Sequence, residues 1–253
     1  MNRRRIAAPG PSTPAVRTGI RTENYVLPDC SATTPPPRDL TRSCHLDQGI
    51  PMPRRFAITF DYLCPFARNA NEHVVAGMRD GADWDVRFVP YSLAQGHVEA
   101  EQQDVWERDE PDKVPGVLAL QAGLAVRDLD PERFPAVHTA LFAARHDQGL
   151  DLKDVEVVRN AVAGAGADAD AVFAQVQSGT AMDTLRAEHT SAVEQHEVWG
   201  VPTFIAGERA VFVRLMDRPN GDTAGARRTI EHIVDLVEGA PMLHEFKQTD
   251  LPR

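Results

Sequence analysis

The chain has 253 residues, 42% hydrophobic and 25% charged, which is the composition of a globular protein. No apolar run approaches the ~18 residues that cross a bilayer, and three cysteines are too few for a disulfide scaffold. The net charge of −10 divides into +3 over residues 1–53 and −13 over the rest, and so acidic a body argues against nucleic acid as a main partner, because phosphate contacts need a basic surface.

Residues 1–53 hold nine of the nineteen prolines and show no sustained periodicity. They read as a disordered Pro-rich extension or as an over-long start, with Met52 a natural alternative. The arginines of MNRRR are not followed by the apolar stretch of a secretory signal, so the expected location is the cytoplasm. Cys30 and Cys44 read as two solvated thiols whose geometry nothing fixes.

Order is expected over residues 54–253. FAITF (56–60) predicts a short strand. Residues 65–80 predict a helix with Pro65 at its first position, where a missing N–H costs nothing, and with Ala67, Ala70, Val74 and Met78 as its buried stripe. WDVRFVPYSL (84–93) alternates as a second strand, and strand, helix and strand so close together predict a βαβ unit.

From about 99 to 199 the periodicity is helical throughout. Phe134, Val137, His138, Leu141 and Phe142 form one face, Val155, Val158 and Val162 another. Val172, Phe173 and Val176 follow, then Leu185, His189, Ala192, Val193 and His196. Strand character returns in PTFIA (202–206) and AVFVRL (210–215), separated by Gly207-Glu208. The last helix carries Ile230, Ile233, Val234 and Val237 and stops at Gly239 before Pro241. The order βαβ, helical block, ββα predicts a four-stranded mixed sheet covered by helices.

Cys64 falls at the junction of the first strand and helix. At an N-cap the free N–H groups of the first turn and the helix dipole both favour thiolate over thiol, so a depressed pKa is expected. A second mark lies far along the chain in WGVPTF (199–204), where Pro202 precedes a strand and the bond before it is a candidate for cis geometry.

FDYLCPF and GVPTF, with the strand order, resemble the DsbA-like family of the thioredoxin fold, over residues 56 to about 240. The resemblance implies a thioredoxin-like α/β fold with an all-helical insertion. It implies that Cys64 is the active cysteine, beside the loop of Val201, Pro202 and Thr203, and that the backbone of Val201 pairs with a bound thiol. Pro65 and Phe66 would complete the substrate contacts. The family's usual C-x-x-C is broken here by Ala67, so a mixed disulfide on Cys64 needs an external thiol to resolve it. The expected partner is a small-molecule thiol or disulfide, with glutathione or mycothiol as cosubstrate and no bound cofactor, metal, nucleic acid or membrane.

Two alternatives stand beside this monothiol oxidoreductase. One is a thiol-dependent transferase or isomerase, as in the related kappa-class glutathione transferases and hydroxychromene carboxylate isomerases. The other is a non-catalytic binding module. Among further residues, Asp61 is read as a solvated turn aspartate, Tyr62 as a substrate contact or a packing residue, and Phe66, Trp106 and Trp199 as core rather than a wall over the thiol. His138, His189 and His196 are read as core or rim residues rather than ligands, since no H-E-x-x-H or paired C-x-x-C accompanies them. Glu107, Arg108, Asp109 and Glu110 read as a solvated charge run.

Overall fold

In the computed structural model, which describes residues 52–247, the first apolar run forms strand β1 (Arg54–Phe60). The extension expected over residues 1–51, with Cys30 and Cys44, lies outside the described residues. Helix α1 (Pro65–Arg79) carries the chain to β2 (Trp84–Pro90), which runs parallel to β1 from Arg54↔Trp84 to Phe60↔Pro90. The hairpin β3 (Thr203–Ala206) and β4 (Arg209–Phe212) returns antiparallel on the other side of β1. The sheet order is therefore β2-β1-β3-β4, a four-stranded mixed sheet with β1 inside it. This is the expected thioredoxin-like arrangement.

Between β2 and β3 the described chain is helical, apart from two short 3-10 turns at Val105–Glu107 and Pro111–Lys113. The helices are α2 (Leu93–Gly96), α3 (Val117–Leu129), α4 (Phe134–His146), α5 (Val155–Gly164), α6 (Ala169–Gln177) and α7 (Thr180–His196). Helix α3 is the hub, packing on each of α4, α5, α6 and α7. Every residue from Val117 to Val126 is buried, as a helix apolar on all sides must be. Helix α8 (Thr223–Gly239) runs along α1 and against β3 and β4, burying Ile230, Val234 and Val237.

Several boundaries differ from the sequence expectation. Strand β2 stops at Pro90 rather than 93, because Ser92 caps α2 by accepting the Gln95 N–H at 3.2 Å. Strand β4 stops at Phe212 rather than 215: Val213 N–H still donates in register to Pro202 O at 3.1 Å, but the proline has no N–H to return and the pairing ends there. Val155 and Val193 turn outward, leaving Val158 and Val162 on α5, and Leu185, His189 and Ala192 on α7, to face the core. Helix α1 is buried on more than one stripe, since β1, α4 and α8 all pack on it. No helix among the described residues is long and apolar enough to cross a membrane.

Candidate active site

Cys64 is the N-cap of α1. Its backbone is extended (φ −91°, ψ 117°), and its sulfur accepts the Ala67 N–H at 3.4 Å. The half-buried Sγ also reaches the backbone oxygen of Val201 at 3.5 Å, across 137 residues of sequence. The Val201–Pro202 peptide bond is cis. Its loop is held from both ends: Thr203 N–H donates to Thr59 Oγ1 at 2.8 Å, and Thr203 Oγ1 donates to Gly200 O at 2.8 Å. The structure thus brings Cys64 and Val201 together, with Pro202 and Thr203 buried behind them. Pro65 is exposed and Phe66 half-buried on the first turn of α1.

The loop that presents the sulfur is built on Asp61, and here the sequence expectation is corrected. Asp61 is fully buried, not solvated. Its Oδ1 accepts Leu63 N–H and its Oδ2 accepts Leu93 N–H, each at 2.8 Å, while its backbone oxygen accepts Cys64 N–H at 3.1 Å. One side chain therefore ties the cysteine loop to the loop after β2. Burial lifts its pKa to about 6 although both amides pull the other way.

The expectation of a depressed Cys64 pKa is also corrected. Burial pushes the thiol up. The Ala67 and Phe66 N–H groups pull it down, the Asp61 charge raises it again, and Arg214 lowers it, with the balance above the ordinary value. The helix terminus is present, but desolvation of the sulfur outweighs it.

Below the loop, the carbonyl of Tyr62 accepts His146 Nε2–H at 2.9 Å. The Tyr62 hydroxyl is buried and donates to His138 Nδ1 at 2.9 Å. His138 Nε2 lies 3.0 Å from Asn71 Oδ1, which fixes the proton on Nε2. Asn71 Nδ2 donates to Ala67 O at 2.8 Å. Tyr62 is thus a packing and hydrogen-bonding residue, and burial keeps His138 neutral by lowering its pKa to about 3. His189 is likewise internal, its Nδ1 accepting Ser92 N–H at 3.2 Å. Trp106 is half-buried and packs edge-on against His189.

Trp199 is the opposite case. It is 71% exposed and lies on Phe212 with ring centroids 4.6 Å apart, which corrects its reading as a core residue.

Several residues around the first turns of α1 have no counterpart in the sequence reading. The Arg214 guanidinium stands 5.1 Å over the Phe66 ring. Asn69 Nδ2 donates to the carbonyls of Leu215 and Met216, each at 2.9 Å. Arg68 and Arg218 converge on Glu72 and also pair with Asp147, which fastens the segment after β4 to α1. A cleft of about 830 Å³ is lined by α1, α4, α5 and residues 218–223 and contains none of the predicted site residues. Among the described residues no three His, Cys, Asp or Glu side chains converge as a metal site would require.

The arrangement is a sulfur at a helix N-terminus, opposed by a backbone carbonyl that can receive an extended or thiol-bearing ligand, with apolar rings at the rim. A family model, the DSBA-like thioredoxin domain, matches residues 57–219. The chain is 27% identical over 197 residues to an uncharacterized protein of Mycobacterium tuberculosis, covering 76% of this chain and 81% of that protein. Among solved structures it is similar to the cytosolic disulfide reductase DsbM from Pseudomonas aeruginosa with GSH. The TM-score is 0.52 at 18% identity, over 72% of this chain and 100% of that one, a likeness of fold.

Proposed function

The chain belongs to the DSBA-like thioredoxin domain family, and from that premise we propose that it is a monothiol thiol-disulfide oxidoreductase of the cytoplasm, with Cys64 as nucleophile and a small thiol as cosubstrate. The observation that carries this reading is the pairing of Cys64 Sγ with both the Ala67 N–H and the Val201 carbonyl. A structural cysteine needs neither.

The chemistry is two exchanges. The Cys64 thiolate attacks the sulfur of a mixed disulfide R–S–S–G, where G–SH is the small thiol. A Cys64–S–S–G bond forms, the original S–S bond breaks, and R–S⁻ leaves and takes a proton. A second G–S⁻ then attacks the G sulfur, releasing Cys64 thiolate and G–S–S–G. In sum R–S–S–G and one G–SH become R–SH and G–S–S–G, so the R sulfur is reduced to a thiol as one cosubstrate thiol is oxidised. The chain offers Ala67 where an internal resolving thiol would stand, so the second exchange falls to the external thiol. Glutathione or mycothiol fills that role in this reading. The similarity to DsbM, a cytosolic disulfide reductase with GSH, supports it by fold.

The test uses the full chain carrying Cys30→Ser and Cys44→Ser, so that every adduct belongs to one sulfur. A glutathione mixed disulfide should give a single Cys64 adduct by intact mass and turn over with added thiol. Adding Cys64→Ser should abolish both. Turnover that survives Cys64→Ser would overturn the reading.

A further inference from the structure

The segment after β4 is held at both ends beside the thiol. Val213 N–H donates to Pro202 O at 3.1 Å, on the loop that faces Cys64. Two residues on, the Leu215 and Met216 carbonyls are taken by Asn69 of α1, whose side chain is nearly buried. Arg214 lies between these anchors. Its backbone is fixed to the two elements that make the site, and its guanidinium is delivered over Phe66, two residues past the cysteine.

Arg214 forms no ion pair with a carboxylate among the described residues, whereas its neighbour Arg218 is spent on Glu72 and Asp147. The residue is exposed and close enough to act electrostatically on the sulfur. A cation without a counter-charge beside the sulfur, in a body of net −13, is not explained by solubility. Stacking on an aromatic face leaves the edge of a guanidinium free to donate two parallel hydrogen bonds.

We infer that Arg214, held over Phe66 by the Pro202 and Asn69 anchors, receives an acidic group on the sulfur compound that reacts at Cys64, so that this compound is an anionic small thiol or disulfide. The inference rests on the exchange chemistry proposed above. It makes Arg214 the specificity residue of the site and the Phe66 ring the platform that keeps the guanidinium in place. A carboxylate and a phosphate share the required chemistry.

The test compares three disulfides on the full chain carrying Cys30→Ser and Cys44→Ser: dithiodipropionate (anionic), hydroxyethyl disulfide (neutral) and cystamine (cationic). The rate constant for Cys64 adduct formation is measured with each at low salt, for Arg214, Arg214→Gln and Arg214→Glu. Any change in thiolate fraction alters all three rates together, so the anionic-to-neutral ratio isolates recognition. Arg214→Gln should cut that ratio about tenfold, the scale of one partly exposed charge-assisted contact. Arg214→Glu should make cystamine the better probe, and added salt should shrink both effects. A phosphate-bearing disulfide run alongside tells the two acid classes apart. A ratio that Arg214→Gln leaves unchanged overturns this inference alone. No reaction with any probe, the neutral one included, overturns the exchange reading and this inference with it.

Discussion

Replacing Asp61 by Asn tests the part of the site that burial controls. A carboxyl whose folded-state pKa is raised favours folding only while protonated. Its contribution is whole below about 3.8 and is lost as pH climbs through about 6. At about 1.4 kcal/mol for each pH unit, that rise withdraws about 3 kcal/mol across the window, of which about 1.4 kcal/mol falls between pH 5 and 7.5. Asn removes the titration. It also turns an NH₂ group toward Leu63 N–H or Leu93 N–H, which leaves one amide unpaired at a cost of about 1–3 kcal/mol at every pH. The variant should therefore be the less stable protein throughout, with the gap narrowing by about 1.4 kcal/mol from pH 5 to pH 7.5. The assay is urea denaturation of both proteins from pH 5 to 7.5, read as the difference between them. That difference cancels His138 and His189, which titrate in both. A gap that stays constant with pH would refute the reasoning, since it would mean Asp61 is ionised at its ordinary value. The same variant should move the Cys64 alkylation profile to lower pH, because the Asp61 charge is one of the groups holding the thiol up.

Alkylation of Cys64 in the chain lacking Cys30 and Cys44 should have its midpoint above that of a free cysteine, ~8.5; a midpoint well below it would mean that the helix terminus outweighs burial after all. Ala67→Cys restores a C-x-x-C pair across one helical turn, within disulfide reach, and should lose two hydrogens on oxidation by intact mass and release a Cys64 adduct without added thiol. Gly123→Ala places a methyl carbon 2.3 Å from the Tyr62 hydroxyl and should cost about 3 kcal/mol in denaturant unfolding by displacing that hydroxyl from His138. His138, lowered from 6.5 to about 3, contributes stability that is whole above 6.5 and is lost as pH falls, about 5 kcal/mol in all; His138→Gln should flatten the acid limb of the stability profile by that amount.

What could be read in advance followed from which residues carry a local signal. Cys64-Pro65 marks a helix start, and Pro202 a strand start, because proline and N-cap chemistry act within a few residues. The faces of α4 and α8 were legible because each has one apolar side and one polar side. Helix α3 was not, although it is the hub of the insertion: VLALQAGLAV has no polar face to set a period against. Its Gly123 looks like a breaker in sequence but marks the place where the Tyr62 hydroxyl approaches the helix. Asp61 was misread for a related reason. A charged residue at a strand end is ordinarily solvated, and only the tertiary packing of the loop at Leu93 and of Gly116 closes over it. Arg214 was hidden because AVFVRL alternates like a strand through 215. What ends the strand is its partner: Pro202, opposite Val213, has no N–H to carry the ladder on.

The two corrections at the site bear on the direction of the chemistry. A cysteine whose thiolate is strongly stabilised leaves a disulfide readily, which makes its protein an oxidant. At Cys64, burial and the Asp61 charge act against the thiolate, while a mixed disulfide on the same sulfur is neutral there and bears no such penalty. The balance therefore favours the adduct over the free thiolate, and Cys64 is the slower leaving group when the second thiol attacks. That argues for a protein that takes a thiol group off its substrate and holds it, so that reduction is the favoured direction and release to the external thiol is the slow step. Arg214 sharpens the same argument. An acid seated on its guanidinium would keep the transferred group beside Phe66 after the first exchange. Arg214→Gln should then lengthen the first step and shorten the life of an anionic adduct. Stopped reactions followed by intact mass would separate the two effects, and an adduct lifetime indifferent to both charge and Arg214 would break the link between the cation and the sulfur.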